Sequence, residues 1–387
     1  MYLMKKIQRL IILALIAIIP TIFIWTPFFA RLKSFWGIPL PQAGMATIVS
    51  NYDGPLYLVI AKSFYNPEII KWNFQFPLPL EYYAAHFPLF PALIRVFSIF
   101  LGFPYSMLFV TIAASFLATY FFYKFIRQYQ DEGNSLFLTL VFSVFPARWL
   151  IVKSVGSAEP LFIAGIIASI YYFQNKRYLA AGLWGALAQL TKSPGILLFA
   201  AYFLAILVPA IKTSAATSKN IFKIIEIKKY WPIIFIPISL VLVFSLFGLQ
   251  LKDFWAYFHS GDNIHLMFPP FSIFNYSAPW VGTFWLEEVI FVYLLGILGL
   301  LKLIKERDHI VSWFVGVFIV SILFVAHRDI LRYALPVVPF VIKAYSNTLI
   351  TKEFKIAFAV LIIPIFLFSL AYISQNTMPI SNWAPFL

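Results

Sequence analysis

The sequence predicts an all-α, polytopic integral membrane protein. Of its 387 residues, 62% are hydrophobic and only 11% are charged, whereas soluble domains carry about 25% charged residues. The apolar residues fall in blocks of about twenty, the length at which a helix crosses roughly 30 Å of hydrocarbon. So few charged side chains could not cover the surface of a water-soluble chain of 44.5 kDa.

Eleven apolar segments are candidate spans, and each is expected to be helical because lipid offers no partner for backbone polar groups. The segments are residues 10–30, 104–123, 135–152, 160–174, 178–191, 195–211, 231–249, 285–304, 310–326, 333–350 and 356–373. The first follows Lys5, Lys6 and Arg9 as a signal sequence would. It has no small-residue cleavage site and precedes many further spans, so we expect it to be retained.

A twelfth apolar block, residues 87–101, begins with prolines and carries Arg95 near its middle. If this block crossed the membrane, every later loop would change side. With eleven spans, 18 of the 29 basic residues fall on the cytoplasmic side with 6 acidic residues, and the outer side holds 11 basic and 9 acidic residues. Cytoplasmic loops normally hold the basic excess, so we expect an interfacial helix here, a cytoplasmic amino terminus and an outer carboxyl tail.

The chain is expected to form one domain over residues 1–387. Its outer side carries a long first loop, residues 31–103, with interfacial helices, and a further loop, residues 250–284. A polar cytoplasmic linker covers residues 212–230. The net charge of +14 is mainly a topology signal, so no nucleic-acid partner is expected. The absence of Cys excludes disulfides and thiolate chemistry.

One carboxylate of the first outer loop, Asp53, lies in the segment NYDGPLY at residues 51–57. An Asx turn that caps a helix starting near Pro55 accounts for this local pattern. The outer side has few acids, however, and a general base is commonly Asp, Glu or His. Asp53 is therefore also a candidate base, with Tyr52 and Tyr57 as candidate substrate contacts.

Two further outer residues stand beside apolar segments. His86 opens the aromatic, proline-rich block HFPLFP, which suits the lipid headgroup level, and it is either solvated or binds substrate. Glu159 lies at the mouth of the span 160–174. An ionisable group at the membrane boundary is a candidate site residue; the alternative is a helix-terminal acid favoured by the helix dipole.

The outer cations nearest to membrane depth are Lys192, Arg328 and Arg332. Arg can hold a phosphate through two parallel hydrogen bonds, and Lys can hold it as a point charge. Alternatively, these side chains snorkel to lipid phosphates without specificity.

The loop 250–284 contains the run HSGDNIH between aromatic residues, which supplies His259, Asp262 and His265. As a metal site the run is weak, because two His and one Asp in a flexible loop fix no geometry. A saccharide-facing loop and an ordinary polar turn both remain open. No nucleotide-phosphate loop, zinc helix motif or nucleophile elbow occurs in the sequence, so direct use of a nucleotide is not expected.

The order of these features resembles the membrane glycosyltransferases of the C superfold, which take sugars from polyprenyl phosphate carriers. More narrowly, YDGPLYLVIA at residues 52–61 is similar to the signature of the second mannosyltransferase of glycosylphosphatidylinositol assembly and its bacterial and archaeal relatives. Further similar stretches are HFPLFP at 86–91, SAEPLF at 157–162, LTKSPG at 190–195 and RYALP at 332–336. Here Tyr52 replaces the usual Trp, and Lys192 replaces the usual Arg.

The resemblance implies an inverting transfer of a single hexose, mannose-like, from a polyprenyl-phosphate donor to a glycan, lipid or protein acceptor. The reaction would occur on the outer face of the plasma membrane, with Asp53 as general base. Glu159 would orient the acceptor or a divalent metal ion, Mg²⁺ or Mn²⁺. The outer cations Lys192, Arg328 and Arg332 would hold the carrier phosphate, and a base plus cations are what a phosphate leaving group requires.

Two other functions are compatible with a membrane protein of this kind. A transporter or flippase for a lipid-linked saccharide would need charged groups deep in several spans, whereas the charges noted above lie at span ends. A non-catalytic partner in envelope polysaccharide assembly is the third possibility.

Overall fold

Helices make up 76% of the residues that the structure describes, as the apolar blocks predict. The computed structural model describes residues 2–74, 76–217, 227–275 and 286–387, so parts of the linker 212–230 and of the loop 250–284 lie outside the described residues. The strands among the described residues are Ser34–Phe35 and Ile38–Pro39, which pair as a short antiparallel hairpin in the first outer loop. The expected all-α class is confirmed.

The α-helices of the described residues follow in chain order. They are α1 Tyr2–Phe29, α2 Met45–Val49, α3 Gly54–Ser63, α4 Pro67–Asn73, α5 Leu89–Leu101, α6 Phe103–Ile126, α7 Glu132–Val144, α8 Ala147–Ser154, α9 Glu159–Gln174, α10 Tyr178–Thr191, α11 Ile196–Thr217, α12 Ile227–Tyr230, α13 Phe235–Gln250, α14 Leu286–Lys305, α15 His309–Ile322, α16 Ile330–Ala334, α17 Val338–Ala344, α18 Ser346–Leu349 and α19 Lys352–Gln375.

Among the described residues, five helical segments are long and apolar enough to cross a membrane. They are Lys6–Phe29, Phe103–Ile126, Ser193–Thr217, Lys228–Gln250 and Lys352–Gln375. The pair α7 and α8 passes the same test if it is counted as one span bent by 71°. The chain is therefore a multi-pass membrane protein.

Every predicted span overlaps a helix of the described residues, but two are interrupted. The segment 135–152 bends at Pro146, the residue immediately before α8. The segment 333–350 divides into α16, a 3₁₀ turn, α17 and α18 around Pro336 and Pro339. Proline lacks a backbone donor and clashes with the preceding turn, so it interrupts a helix that an apolar composition alone would leave continuous. The count of eleven spans stays a prediction.

The ambiguous block 87–101 forms α5, which has 13 residues. At about 1.5 Å per residue it is roughly 20 Å long, close to the length of α10, so the pattern of its exposed side chains and not its length sets it apart from the predicted spans. One face buries Phe90 and Ile94, while Ile99 and Phe100 are about four-fifths exposed. This amphipathic form is the one expected of a helix at the membrane surface.

Helix α9 lies at the centre of the molecule. Its residues from Glu159 to Ile170 are all buried, as expected of a helix that is apolar on every side. It packs closely on α10, where a Cβ at Gly165 would lie 3.0 Å from the Ala188 side chain. The 16 residues of α9 span about 24 Å, so the helix separates two polar regions of the protein.

One polar region surrounds Gln174, the last residue of α9. Tyr129 and Gln174 both donate to Asp308, and the Lys343 ammonium lies 3.0 Å from Asp308 Oδ2. Nearby, Arg9 pairs with Glu132 at 2.6 Å. Of the charged residues in this group, Arg9, Glu132 and Asp308 belong to segments predicted to be cytoplasmic, and Lys343 lies towards the predicted cytoplasmic end of the span 333–350. The other polar region surrounds Glu159, the first residue of α9, and gathers residues predicted to be outside.

Candidate active site

Asp53 immediately precedes α3, but its side chain does not cap that helix. Instead, Oδ2 accepts a hydrogen bond of 3.0 Å from Nη2 of Arg332, and Oδ1 lies 3.9 Å from Nε2 of His86. The side chain is one-third exposed. The carboxylate is therefore turned away from its own helix and towards residues that come from distant parts of the chain.

The segment before Asp53 is fixed by the end of α19 and the residues that follow it. The Asn51 side chain is fully buried and donates to the carbonyl of Ile373 at 2.7 Å. The backbone N–H of Tyr52 donates to the carbonyl of Asn376, and that of Met378 donates to Ser50. These bonds hold the backbone on the amino-terminal side of Asp53.

Glu159 is the first residue of α9 and is only 3% exposed. Its Oε1 accepts hydrogen bonds from Nζ of Lys192 at 2.5 Å and from Nε of Arg332 at 2.6 Å. Its Oε2 accepts a hydrogen bond from the Ser157 hydroxyl. Although Glu159 occupies the helix-terminal position that favours an acid, its carboxylate is engaged by two cations.

Arg332 joins the two carboxylates, because its guanidinium contacts Asp53 and Glu159 at once. The planar fork of donors in Arg suits such bridging. Partial burial alone would raise the pKa of Asp53, but Arg332 and His86 outweigh that effect and hold the pKa well below its usual range. Asp53 is thus ionised at neutral pH, and two acids balance the charges of Lys192 and Arg332.

A cavity of about 350 Å³ opens onto this cluster. Its polar end is formed by Asp53, Glu159, Lys192 and Arg332. The rest of the wall is mostly apolar, and includes Phe162, Ile163, Leu240, Phe244, Phe318 and Ile322. The cavity is therefore amphipathic, with charged groups at one end and side chains of membrane helices along its wall.

Three further residues predicted from the sequence line the same cavity: Tyr57, His86 and His265. Tyr57 and His86 are both nearly fully buried, and their rings meet edge to face with centroids 5.1 Å apart. The His265 ring lies 4.3 Å from that of His327, centroid to centroid.

Two other predicted residues whose side chains are described, His259 and Arg328, do not join this cluster. His259 is exposed and pairs with Asp253 at 2.5 Å, while Arg328 is exposed near the amino end of the outer segment that also carries Arg332. The side chain of Asp262 lies outside the described part of the chain. Tyr52 is near the cluster, but its hydroxyl points to Asp329 and Arg148. The substrate contacts proposed for these residues stay predictions.

Sequence reasoning missed a second ion pair beside the cluster. Nε of Arg148 lies 2.9 Å from Oδ1 of Asp329, and the two side chains are 11% and 7% exposed. Arg148 lies within the predicted span 135–152. An arginine inside an apolar span is itself a signal of function, so this residue could have been found from the sequence.

No group of three or more His, Asp or Glu is arranged to hold a metal ion in the part of the chain that the structure describes. The two carboxylates at the cavity both face the Arg332 guanidinium. A divalent ion such as Mg²⁺ or Mn²⁺ therefore has no defined set of ligands among these residues.

No protein-family model and no curated protein sequence matches the chain. Solved structures do match. ArnT from Cupriavidus metallidurans bound to undecaprenyl phosphate is 13% identical with a TM-score of 0.51, over 82% of this chain and 61% of ArnT. The oligosaccharyltransferase from Archaeoglobus fulgidus in complex with zinc and sulfate is 13% identical with a TM-score of 0.51, over 95% of this chain and 54% of that chain.

The same oligosaccharyltransferase tethered to an acceptor peptide matches at 12% identity and a TM-score of 0.50, over 95% of this chain and 56% of that chain. The chain thus spans between 54% and 61% of the length of these structures. At such low identity, the similarity shows the fold alone. The chain therefore shares the fold of ArnT and of this oligosaccharyltransferase.

Proposed function

We propose that this chain is a glycosyltransferase that moves a single hexose, mannose-like, from a polyprenyl-phosphate donor to a glycan, lipid or protein acceptor. The observation that carries the proposal is the amphipathic cavity with two carboxylates and two cations at its polar end. A lipid-linked sugar phosphate has the same division between a charged head and an apolar tail. The match to an ArnT structure bound to undecaprenyl phosphate supports this donor class.

The charged end of the cavity provides the groups that such a transfer requires. Asp53 accepts the proton of the acceptor hydroxyl while that oxygen forms a bond to the anomeric carbon. The bond from the anomeric carbon to the phosphate oxygen breaks on the opposite side, and its electron pair stays on the phosphate. Lys192 and Arg332 stabilise the negative charge that develops there, and the anomeric configuration is inverted.

Glu159 acts mainly on the two cations. With one oxygen it accepts hydrogen bonds from both Lys192 and Arg332, which fixes their positions relative to each other. It also balances their charge while the cavity is free of donor. The apolar wall that includes Phe162 and Phe244 accommodates the first isoprene units of the donor.

The proposed topology has eleven spans in one domain over residues 1–387, with the cavity on the outer face of the plasma membrane. This topology is supported by contacts between residues of different loops that are predicted to lie on the same side of the membrane. Residues of the predicted cytoplasmic segments, such as Arg9 and Glu132, meet each other, as do the outer residues Asp53, Glu159 and Arg332. If the number of spans between two of these loops were wrong by an odd number, residues predicted to lie on opposite sides of the membrane would be in contact.

The decisive experiment is sugar transfer in reconstituted liposomes by the Asp53→Asn variant. Asn keeps the size of the side chain but is not a proton acceptor, so we expect transfer per folded molecule to fall by about 10²- to 10⁴-fold. Glu68→Gln is the control, because Glu68 is an exposed outer acid in the first turn of α4 and does not line the cavity; it should transfer at the wild-type rate.

Wild-type transfer by Asp53→Asn would refute the assignment of the base. Mass spectrometry of the lipid and acceptor products, after a screen of lipid-linked donors, identifies the sugar that is moved. It also separates transfer from flipping, because a flippase moves a lipid-linked saccharide between leaflets without forming a new glycosidic bond.

A further inference from the structure

The Arg332 guanidinium rests on the aromatic ring of Tyr52, with its central carbon 4.3 Å from the ring centroid. The hydroxyl at the far end of the same ring donates to Oδ2 of Asp329 at 3.2 Å and accepts a hydrogen bond of 3.1 Å from Arg148. Tyr52 therefore lies between two ion-pair systems. One contains Arg332 with Asp53 and Glu159, and the other contains Arg148 with Asp329.

The Arg148 and Asp329 pair is held on its other side as well. The Arg148 guanidinium lies over the Tyr372 ring, with its central carbon 3.9 Å from the ring centroid, an arrangement that stabilises a cation. Asp329 precedes α16, the short helix that carries Arg332, and its carbonyl accepts a hydrogen bond of 2.9 Å from the Arg332 backbone N–H. The acid paired with Arg148 is thus joined directly to the segment that carries Arg332.

Charge explains why this proximity matters. The Asp329 side chain is 7% exposed, and a buried carboxylate without a counter-charge is strongly unfavourable. Without Arg148, the Asp329 carboxylate would lack its counter-charge. Arg332 lies three residues along the chain and would pair with Asp329 instead. Such a shift would draw the Arg332 guanidinium away from Asp53 and Glu159, which hold it in the cavity.

We infer that Arg148, Asp329 and the Tyr52 hydroxyl form a positioning unit that keeps the Arg332 guanidinium in the cavity, where the donor phosphate binds. Arg148 neutralises Asp329 so that Asp329 does not compete for Arg332, and Tyr52 separates the two guanidinium groups while hydrogen bonding to the second pair. The inference rests on the proposed function in one respect: Arg332 is taken to contact the phosphate of the donor. Arg148, Asp329 and Tyr52 touch no reacting atom.

The experiment measures equilibrium binding of undecaprenyl phosphate, without a sugar, to the purified chain in detergent by microscale thermophoresis. The variants are Arg148→Met, Asp329→Asn and the double substitution. We expect Arg148→Met to raise Kd by about tenfold or more, the size typical of coupled neighbours. Asp329→Asn should raise it less, and the double variant should recover to within about threefold of the wild type, because the competing carboxylate is gone.

A purely structural role predicts a different pattern. Each single variant would then lose thermal stability without a change in Kd for the folded protein. Lys343→Met is the matched control, because Lys343 is 4% exposed and also belongs to a buried ion pair, but at the opposite end of α9. We expect it to lower the unfolding temperature and leave Kd unchanged.

The outcomes separate the two proposals. If the wild type binds undecaprenyl phosphate and Arg148→Met binds it equally well, the positioning unit is refuted and the donor site stands. A double variant that binds more weakly than Arg148→Met also refutes the unit. If the wild type does not bind the lipid at all, the proposed donor is wrong, and the inference drawn from it is overturned as well.

Discussion

Gly54, the residue after Asp53, offers a direct test of how closely the candidate base must be placed. A Cβ at Gly54 would lie 2.3 Å from the carbonyl oxygen of Val49 and 3.3 Å from Cε of Met107. The methionine can move, but the carbonyl belongs to the backbone at the end of α2. Gly54→Ala therefore forces the start of α3 away from α2, and Asp53 moves with it.

The magnitude follows from this contact. A Cβ essentially never approaches another atom within 3.0 Å, so the backbone has to shift by about 0.7 Å at Gly54. A misplacement of about 1 Å can lower a rate by about 10²-fold, and we expect transfer to fall by about 10- to 100-fold. Overpacking costs about 1–3 kcal/mol of stability, and the higher helix propensity of Ala offsets up to about 1 kcal/mol of that.

The assay is sugar transfer in liposomes per folded molecule, with thermal unfolding measured in parallel. Gly248→Ala is the matched control, because its Cβ would lie 3.7 Å from the nearest atoms, those of Phe254, which is an ordinary contact. This control should transfer at the wild-type rate. If Gly54→Ala does so too, then the position of Asp53 does not limit the reaction, and the argument from the Val49 contact is wrong.

Two further predictions concern groups around the cavity. Lys192→Met removes one of the two cations that contact Glu159, and it should raise the donor KM by about tenfold or more, as expected for a lost charge-assisted hydrogen bond. The donor KM of Lys192→Arg should stay within a few-fold of the wild-type value. Initial rates at varied donor concentration measure both, and a wild-type KM for Lys192→Met contradicts the prediction. Burial, with His265 and Arg332 nearby, lowers the pKa of His327 to about 3, against about 6.5 in the unfolded chain. The unfolded state therefore binds the proton first, and the stability of the protein falls as pH drops from about 6.5 towards 3. The difference between the melting temperatures at pH 7 and pH 4.5 should be smaller in His327→Gln than in the wild type. An equal difference in the two proteins refutes the assignment of this pH dependence to His327.

Much of the fold could be predicted because the bilayer restricts what an apolar segment can do. The segment 178–191 coincides with α10, and 160–174 differs from α9 by one residue. The division of the segment 333–350 into short helices was not predicted, because two prolines interrupt a stretch whose apolar composition suggests one continuous helix. Apolar side chains indicate where the chain is buried in lipid, whereas the continuity of a helix depends on backbone hydrogen bonds.

The candidate site divides in the same way. Asp53, Glu159, Lys192 and Arg332 could be proposed from the sequence because charged residues are scarce on the outer side. Their pairing could not be, since Asp53 and Arg332 are 279 positions apart and either acid could have been a helix-terminal residue. What the structure adds is a constraint on chemistry: Arg332 lowers the basicity of Asp53 while the two are paired. A donor phosphate that attracts Arg332 would restore that basicity, so the ion pair that identifies the site also makes the proposed base depend on the donor.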